Sequence, residues 1–93
     1  MDFGALVDGY HSDMTRTVVI GAASDEQQEM YEVVLRAQTA GIDALAAGEK
    51  GSAVDATARK VVAETRWEGF DHGLGHGVGL DIHEEPRLSK LSE

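Results

Sequence analysis

Asp2-Phe3-Gly4-Ala5-Leu6-Val7-Asp8-Gly9-Tyr10-His11-Ser12-Asp13-Met14-Thr15-Arg16 reads as a β-hairpin, and its register decides what the rest of the chain can do. Asp8-Gly9 is a two-residue turn signal, because a type I′ turn needs positive φ at both central positions. The returning strand is predicted to run from Tyr10 to Ile20, since Thr15-Arg16-Thr17-Val18-Val19-Ile20 is rich in β-branched residues that suit a pleated surface, and Gly21 ends it. Centring the pairing on Asp8-Gly9 sets Asp13 opposite Gly4 and Asp2 opposite Thr15. Paired residues point the same way and the side-chain period is two, so positions 2, 4, 13 and 15 share one face. Asp2 and Asp13 become diagonal neighbours, about 7–8 Å apart at the backbone. Gly4 leaves room beside them, and Arg16 points to the other face. A three-residue loop would slip the register by one and undo the arrangement.

Carboxylates on a face with apolar neighbours are costly when buried without a partner, and a divalent cation removes that cost. From the pairing alone, the two acids are either metal ligands or solvent-exposed hairpin residues.

Composition bounds the function class. The chain has 93 residues, with 17 acids against 8 bases and a formal charge of −9. Nucleic acid and anionic membrane both need a basic face, so neither is expected as a partner. There is no cysteine and hence no disulfide framework. No apolar run approaches the ~18 residues of a membrane helix. No signal peptide is expected, because an acid and a turn-rich strand pattern follow Met1 at once, and the expected location is the cytoplasm. One small domain is predicted, burying about 60–65% of the surface its unfolded form exposes. Neither an internal repeat nor a dividing linker is evident.

Ser24 with Gln27 three residues on is a capping-box start. A helix is predicted from there to about Ala46, with Tyr31, Val34, Leu35, Gln38, Ile42 and Leu45 along one stripe and Gly48 as its C-cap. Gly51 precedes a second N-cap, Ser52, with Asp55 in the first turn. Val54, Ala58, Val61, Val62 and Thr65 mark one face of a helix ending near Trp67. Beyond it the chain changes character. Gly69, Gly73, Gly75, Gly77 and Gly79 crowd one stretch, with His72, His76 and His83 in or just after it. Such density permits close backbone approach, and interleaved Phe70, Leu74, Val78, Leu80 and Ile82 argue against a plain linker. His72 and His76 would share a helix face, but Gly73 and Gly75 make a helix unfavourable there. Neutral imidazole suits Mn, Co, Zn or Fe, which makes His76 a ligand candidate. His72 and His83 are candidates for hydrogen-bond donation or proton transfer. Glu84 and Glu85, before Pro86, read as a polar turn.

Taken together, Asp-Phe-Gly-Ala (2–5), Gly-Tyr-His-Ser-Asp-Met-Thr-Arg-Thr (9–17) and Gly-His-Gly-Val-Gly-Leu-Asp-Ile-His-Glu-Glu-Pro (75–86) closely resemble the "pita-bread" metallopeptidases of the M24 family. Within them they resemble the Xaa-Pro branch, prolidase (Xaa-Pro dipeptidase) and Xaa-Pro aminopeptidase. The resemblance spans the chain and covers the first half of the family's catalytic domain. It implies an α+β class, a partial pita-bread fold in which a curved antiparallel sheet carries two helices on its outer face. Residues 1–93 would be one partial catalytic domain, without its C-terminal half and without the N-terminal domain common to prolidases.

The resemblance also implies a site. Asp2 matches an aspartate that ligates one metal, Asp13 the aspartate that bridges two, and His76 the histidine ligand. His83 matches the histidine that contacts substrate and the tetrahedral intermediate, and His72 the one lining the substrate pocket. The complete enzyme would use two divalent ions, Mn or Co first and Zn or Fe as alternatives, to generate a nucleophile and clamp developing charge. Its substrate would be a small peptide with proline at the second position. The family's two glutamate ligands, one of which usually serves as general base, lie in later segments that this chain does not contain. The 93 residues alone are therefore expected to bind one metal weakly and to be inactive. An open sheet edge and an uncovered apolar face favour homo-oligomer formation. Three alternatives stand beside this: a non-catalytic peptide- or protein-binding module of the same fold, a metal-free creatinase-like relative, and a methionine aminopeptidase.

Overall fold

The computed structural model describes residues 1–92. Its N-terminal hairpin is built from β1 (Asp2–Phe3), β2 (Leu6–Val7), β3 (Tyr10–His11) and β4 (Met14–Thr15). The register is the expected one, with Asp2 opposite Thr15, Phe3 opposite Met14, Leu6 opposite His11 and Val7 opposite Tyr10. Asp8 (φ 52°) and Gly9 (φ 83°) both take positive φ, as a type I′ turn requires.

The pairing is interrupted midway. Ser12 N donates to Ala5 O at 2.8 Å, but Ala5 N turns to Ser12 Oγ at 3.1 Å. A Cβ at position 4 would lie 2.1 Å from Ser12 O, so a glycine is required there by the facing backbone. This corrects the expectation that Gly4 serves to leave room for the two acids. The returning strand is also shorter than predicted. Met1 and Arg16 exchange backbone hydrogen bonds of 2.8 Å. Past that pair Thr17–Ile20 has no strand assignment, and Ile20 is fully exposed.

The first helix, α1 (Asp25–Ala44), starts as predicted. Ser24 Oγ accepts from Gln27 N at 3.1 Å, and Gln27 Oε1 accepts from Ser24 N at 2.9 Å. These reciprocal bonds satisfy two donors that a helix start otherwise leaves open. The helix stops at Ala44 with Leu45 as its cap. Gly48 (φ 91°) instead serves the following turn, in which Glu49 N donates to Ala46 O at 3.1 Å. The second helix, α2 (Gly51–Ala63), is capped by Lys50 without a side-chain bond. Ser52, the expected cap, lies inside the first turn, where its backbone N donates to Ser92 O at 3.1 Å. The helix ends at Ala63, short of Trp67.

The core lies between the helices, and α1 meets it on a different face from the predicted stripe. Val33, Ala37 and Gly41 are buried, whereas Tyr31, Val34, Leu35, Ile42 and Leu45 remain about half exposed. The cause is fit rather than hydrophobicity. A Cβ on Gly41 would stand 3.8 Å from Ala58 Cβ and 3.1 Å from a Leu74 methyl, so small residues set the approach of α1, α2 and the segment behind them. On α2 the expected Val54, Ala58 and Val62 are buried. Val61, Trp67, Phe70 and Leu74 pack around the cluster. Asp55, read in the sequence only as a first-turn acid, is completely buried.

The glycine-rich stretch forms no helix, as expected, and only Gly75–Gly77 within it is a strand. β5 (Gly75–Gly77) pairs antiparallel with β6 (Glu84–Leu88), His76 lying opposite Arg87, with a register shift between His76 and Gly77. Glu84 and Glu85 thus begin a strand. α2 packs against β6. Among the described residues the class is α+β, a helix pair with three two-stranded antiparallel ladders.

Gly4→Ala is expected to destabilise the chain by ~1–3 kcal/mol, since its methyl must displace the Ser12 carbonyl. Denaturant unfolding measures the loss, and cross-strand contacts between Asp2 and Thr15 should weaken in NMR spectra.

Candidate metal centre

The hairpin and the stretch from His72 to His83, distant in sequence, converge on one cleft. The hairpin brings Asp2 and Asp13, the segment ahead of β5 brings His72, β5 brings His76, and the turn before β6 brings His83. A long-range tie seats the hairpin against the glycine-rich segment. His11 N donates to Gly79 O at 2.7 Å, and His11 Nδ1 lies 3.1 Å from the same oxygen.

The innermost contact is between Asp13 Oδ2 and His76 Nε2, at 3.2 Å, with both side chains about one-quarter to one-third exposed. His76 Nδ1 stands 2.9 Å from Gly77 O. A carbonyl oxygen can only accept, so that bond places the proton of a neutral ring on Nδ1 and leaves the Nε2 lone pair facing a carboxylate oxygen. Two acceptors at this distance repel unless a proton or a cation stands between them. Anchoring one imidazole nitrogen on a backbone carbonyl while the other points at a carboxylate is also the arrangement that metal-ligating histidines adopt.

His83 completes a tight group. Its ring centroid is 4.4 Å from that of His76. Among the described residues, one ligand atom each from Asp13, His76 and His83 lies within 4.8 Å of the other two. Asp2 and His72 stand in the walls of the same cleft, outside that group. His72 Nδ1 is 2.6 Å from Gly73 O. All five residues singled out in the sequence therefore share one cleft, with Arg87 beside them. Two carboxylates with imidazole nitrogens form an oxygen and nitrogen donor set that fits a divalent first-row cation.

The buried Asp55–Arg59 ion pair on α2 is a feature that the sequence alone does not mark. The available signal is an acid and a base four residues apart, beside the apolar Val54, Ala58, Val62 face, where an unpaired charge would be costly.

The sequence profile of metallopeptidase family M24 matches residues 1–93. The Xaa-Pro dipeptidase of Pyrococcus horikoshii is 45% identical over 94 residues, covering 100% of this chain and 27% of that protein. The Xaa-Pro dipeptidase of Lactobacillus delbrueckii subsp. lactis is 43% identical over 89 residues, covering 95% and 24% respectively. Among solved structures, the prolidase from Pyrococcus furiosus superposes with a TM-score of 0.93 at 45% identity, covering 99% of this chain and 28% of that one. The X-Pro aminopeptidase from Thermotoga maritima gives 0.92 at 41% identity, covering 98% and 26%. The chain thus spans about a quarter of the length of these relatives. It has the α+β architecture of the matching part of the pita-bread prolidases. With a full-length match to the family profile and close structural likeness, the chain belongs to metallopeptidase family M24.

Proposed function

We propose that this chain supplies the aspartate and histidine ligands of a two-metal peptidase centre that cleaves the bond before proline in small peptides. The observation that carries this is the Asp13–His76 contact, a carboxylate and an imidazole lone pair at 3.2 Å with the His83 ring beside them. The names of the relatives, Xaa-Pro dipeptidase and prolidase, support the substrate class.

Asp13 is the central ligand of this reading, since its carboxylate meets His76 Nε2 in the cleft that Asp2 also lines. Asp2 and His76 would be further ligands. A bound divalent ion, Mn or Co by preference, supplies Lewis acidity and a nucleophile at neutral pH. The work of the remaining residues is binding and orientation. His83, in ring contact with His76, donates a hydrogen bond to the carbonyl oxygen of the scissile bond as negative charge develops there. His72, in the cleft wall, lines the position of the substrate chain. Gly77 O holds the His76 ring in the tautomer that leaves Nε2 free to ligate.

Three donors in one tight group leave a coordination shell incomplete, and no glutamate of the described residues joins them. We therefore assign the chain to one partial catalytic domain. Alone it binds a single ion weakly and does not turn over, while a longer polypeptide containing it is the active form.

Asp13→Ala should reduce Mn(II) affinity by at least about tenfold while leaving the far-UV circular dichroism unchanged, because it removes a ligand rather than a core residue. Unchanged affinity, read by calorimetric titration, would remove Asp13 from the site. A longer polypeptide containing these 93 residues should hydrolyse Xaa-Pro dipeptides and lose that activity on chelation. Cleavage of Met-Xaa peptides in preference would refute the proposed specificity.

A further inference from the structure

Asp55 is completely buried, and the donor set just described makes no direct use of it. Its partner is Arg59, one helical turn on, with Nε 2.5 Å from Asp55 Oδ2 and Nη2 3.4 Å from Oδ1. The pair does more than neutralise itself. Arg59 Nη1 donates to Phe70 O at 2.5 Å, and Nη2 donates to His72 O at 2.6 Å. Asp55 Oδ1 accepts from Leu74 N at 3.1 Å. The guanidinium carbon also stands 4.0 Å from the centroid of the Phe70 ring. Backbone groups of residues 70, 72 and 74 are thus held by one ion pair on α2, and the chain enters β5 at Gly75, one residue before His76. Leu74 N, shared with Leu88 O at 2.6 Å, joins this clamp to the β5–β6 ladder.

A surface turn needs no buried charge, and burying one is costly unless every polar atom is engaged. Here the planar guanidinium fork reaches two carbonyls and a carboxylate together, which an ammonium on a flexible stem cannot do. We propose that Asp55 and Arg59 are positioning residues that set the backbone before β5, and through it the direction of the His76 imidazole and the placement of His72. The proposal rests on His76 being a metal ligand, as set out above. The pair touches neither metal nor substrate, and it acts through the loop.

The test uses the 93-residue chain with Co(II) as the probe, read by its d–d absorption. Arg59→Lys keeps a charge for Asp55 but cannot span the two carbonyls. It is expected to weaken Co(II) binding by about tenfold or more, the usual cost of disturbing the support of a ligand. In a His76→Ala background the same substitution should change affinity by less than about twofold, because the route through His76 is gone. In the metal-free chain, Arg59→Lys should shift or broaden the amide resonances of residues 73–77 and the His76 ring signals, leaving those of the hairpin turn in place. Equal loss with and without His76, or unchanged signals at residues 73–77, would overturn the proposal, since either would mean the pair serves the general fold only. If His76→Ala itself leaves affinity at the starting value, the ligand assignment fails instead, and the resonances still decide whether the pair positions the loop. They also decide if His76→Ala binds too weakly to measure. Should Arg59→Lys not fold, Asp55→Asn, which keeps the shape and one acceptor oxygen, is read in the same way with a loss of the same sign.

Discussion

The buried ion pair of Asp55 and Arg59 is the constraint on which the remainder of this structure depends. A charge in the interior is tolerable only when its field is answered and its polar atoms are bonded. The chain meets that condition by bringing residues 70–74 onto α2, where three backbone groups complete the shell of the pair. The same tie places Phe70 and Leu74 against Val33, Ala37, Ala58 and Val62, so one network fixes both the core and the entry to β5. The helix pair becomes the platform, and the histidine-bearing segment is laid across it.

The hairpin joins this platform from the far side by a thinner connection, with His11 bonded to Gly79 O. Asp13 meets His76 where the two halves touch. The candidate centre therefore draws on both the helix-backed segment and the hairpin. A cation shared between a carboxylate on one and an imidazole on the other would reinforce the junction as well as complete the site, since binding free energy to a composite site is also folding free energy.

Much of this was legible in the sequence, for local reasons. Asp8-Gly9 dictates the hairpin register because few other pairs tolerate positive φ twice, and the register in turn puts Asp2 opposite Thr15. Ser24 and Gln27 mark the start of α1 because their side chains close a hydrogen-bonded box within four residues. The failures are non-local. The buried face of α1 is chosen by small residues that let Ala58 and Leu74 approach, and large side chains such as Tyr31 and Leu35 are left half exposed. Thr17–Ile20 has strand-like composition but is not a strand. Asp55 looks like a first-turn acid until the loop that buries it is seen. For the candidate centre, hairpin geometry placed Asp2 and Asp13 on one face, but only resemblance to known peptidases joined them to His76, because a contact spanning more than sixty residues leaves no periodic trace.

The proposed function requires that a divalent cation bind between Asp13 and His76. Crystals of the chain grown with Mn(II), measured on both sides of the manganese absorption edge, test it most directly. An anomalous peak is expected within bonding distance of an Asp13 carboxylate oxygen and of His76 Nε2, with His76 Nδ1 still bonded to Gly77 O. A peak elsewhere on the acidic surface with none between Asp13 and His76, under saturating Mn(II), would contradict it.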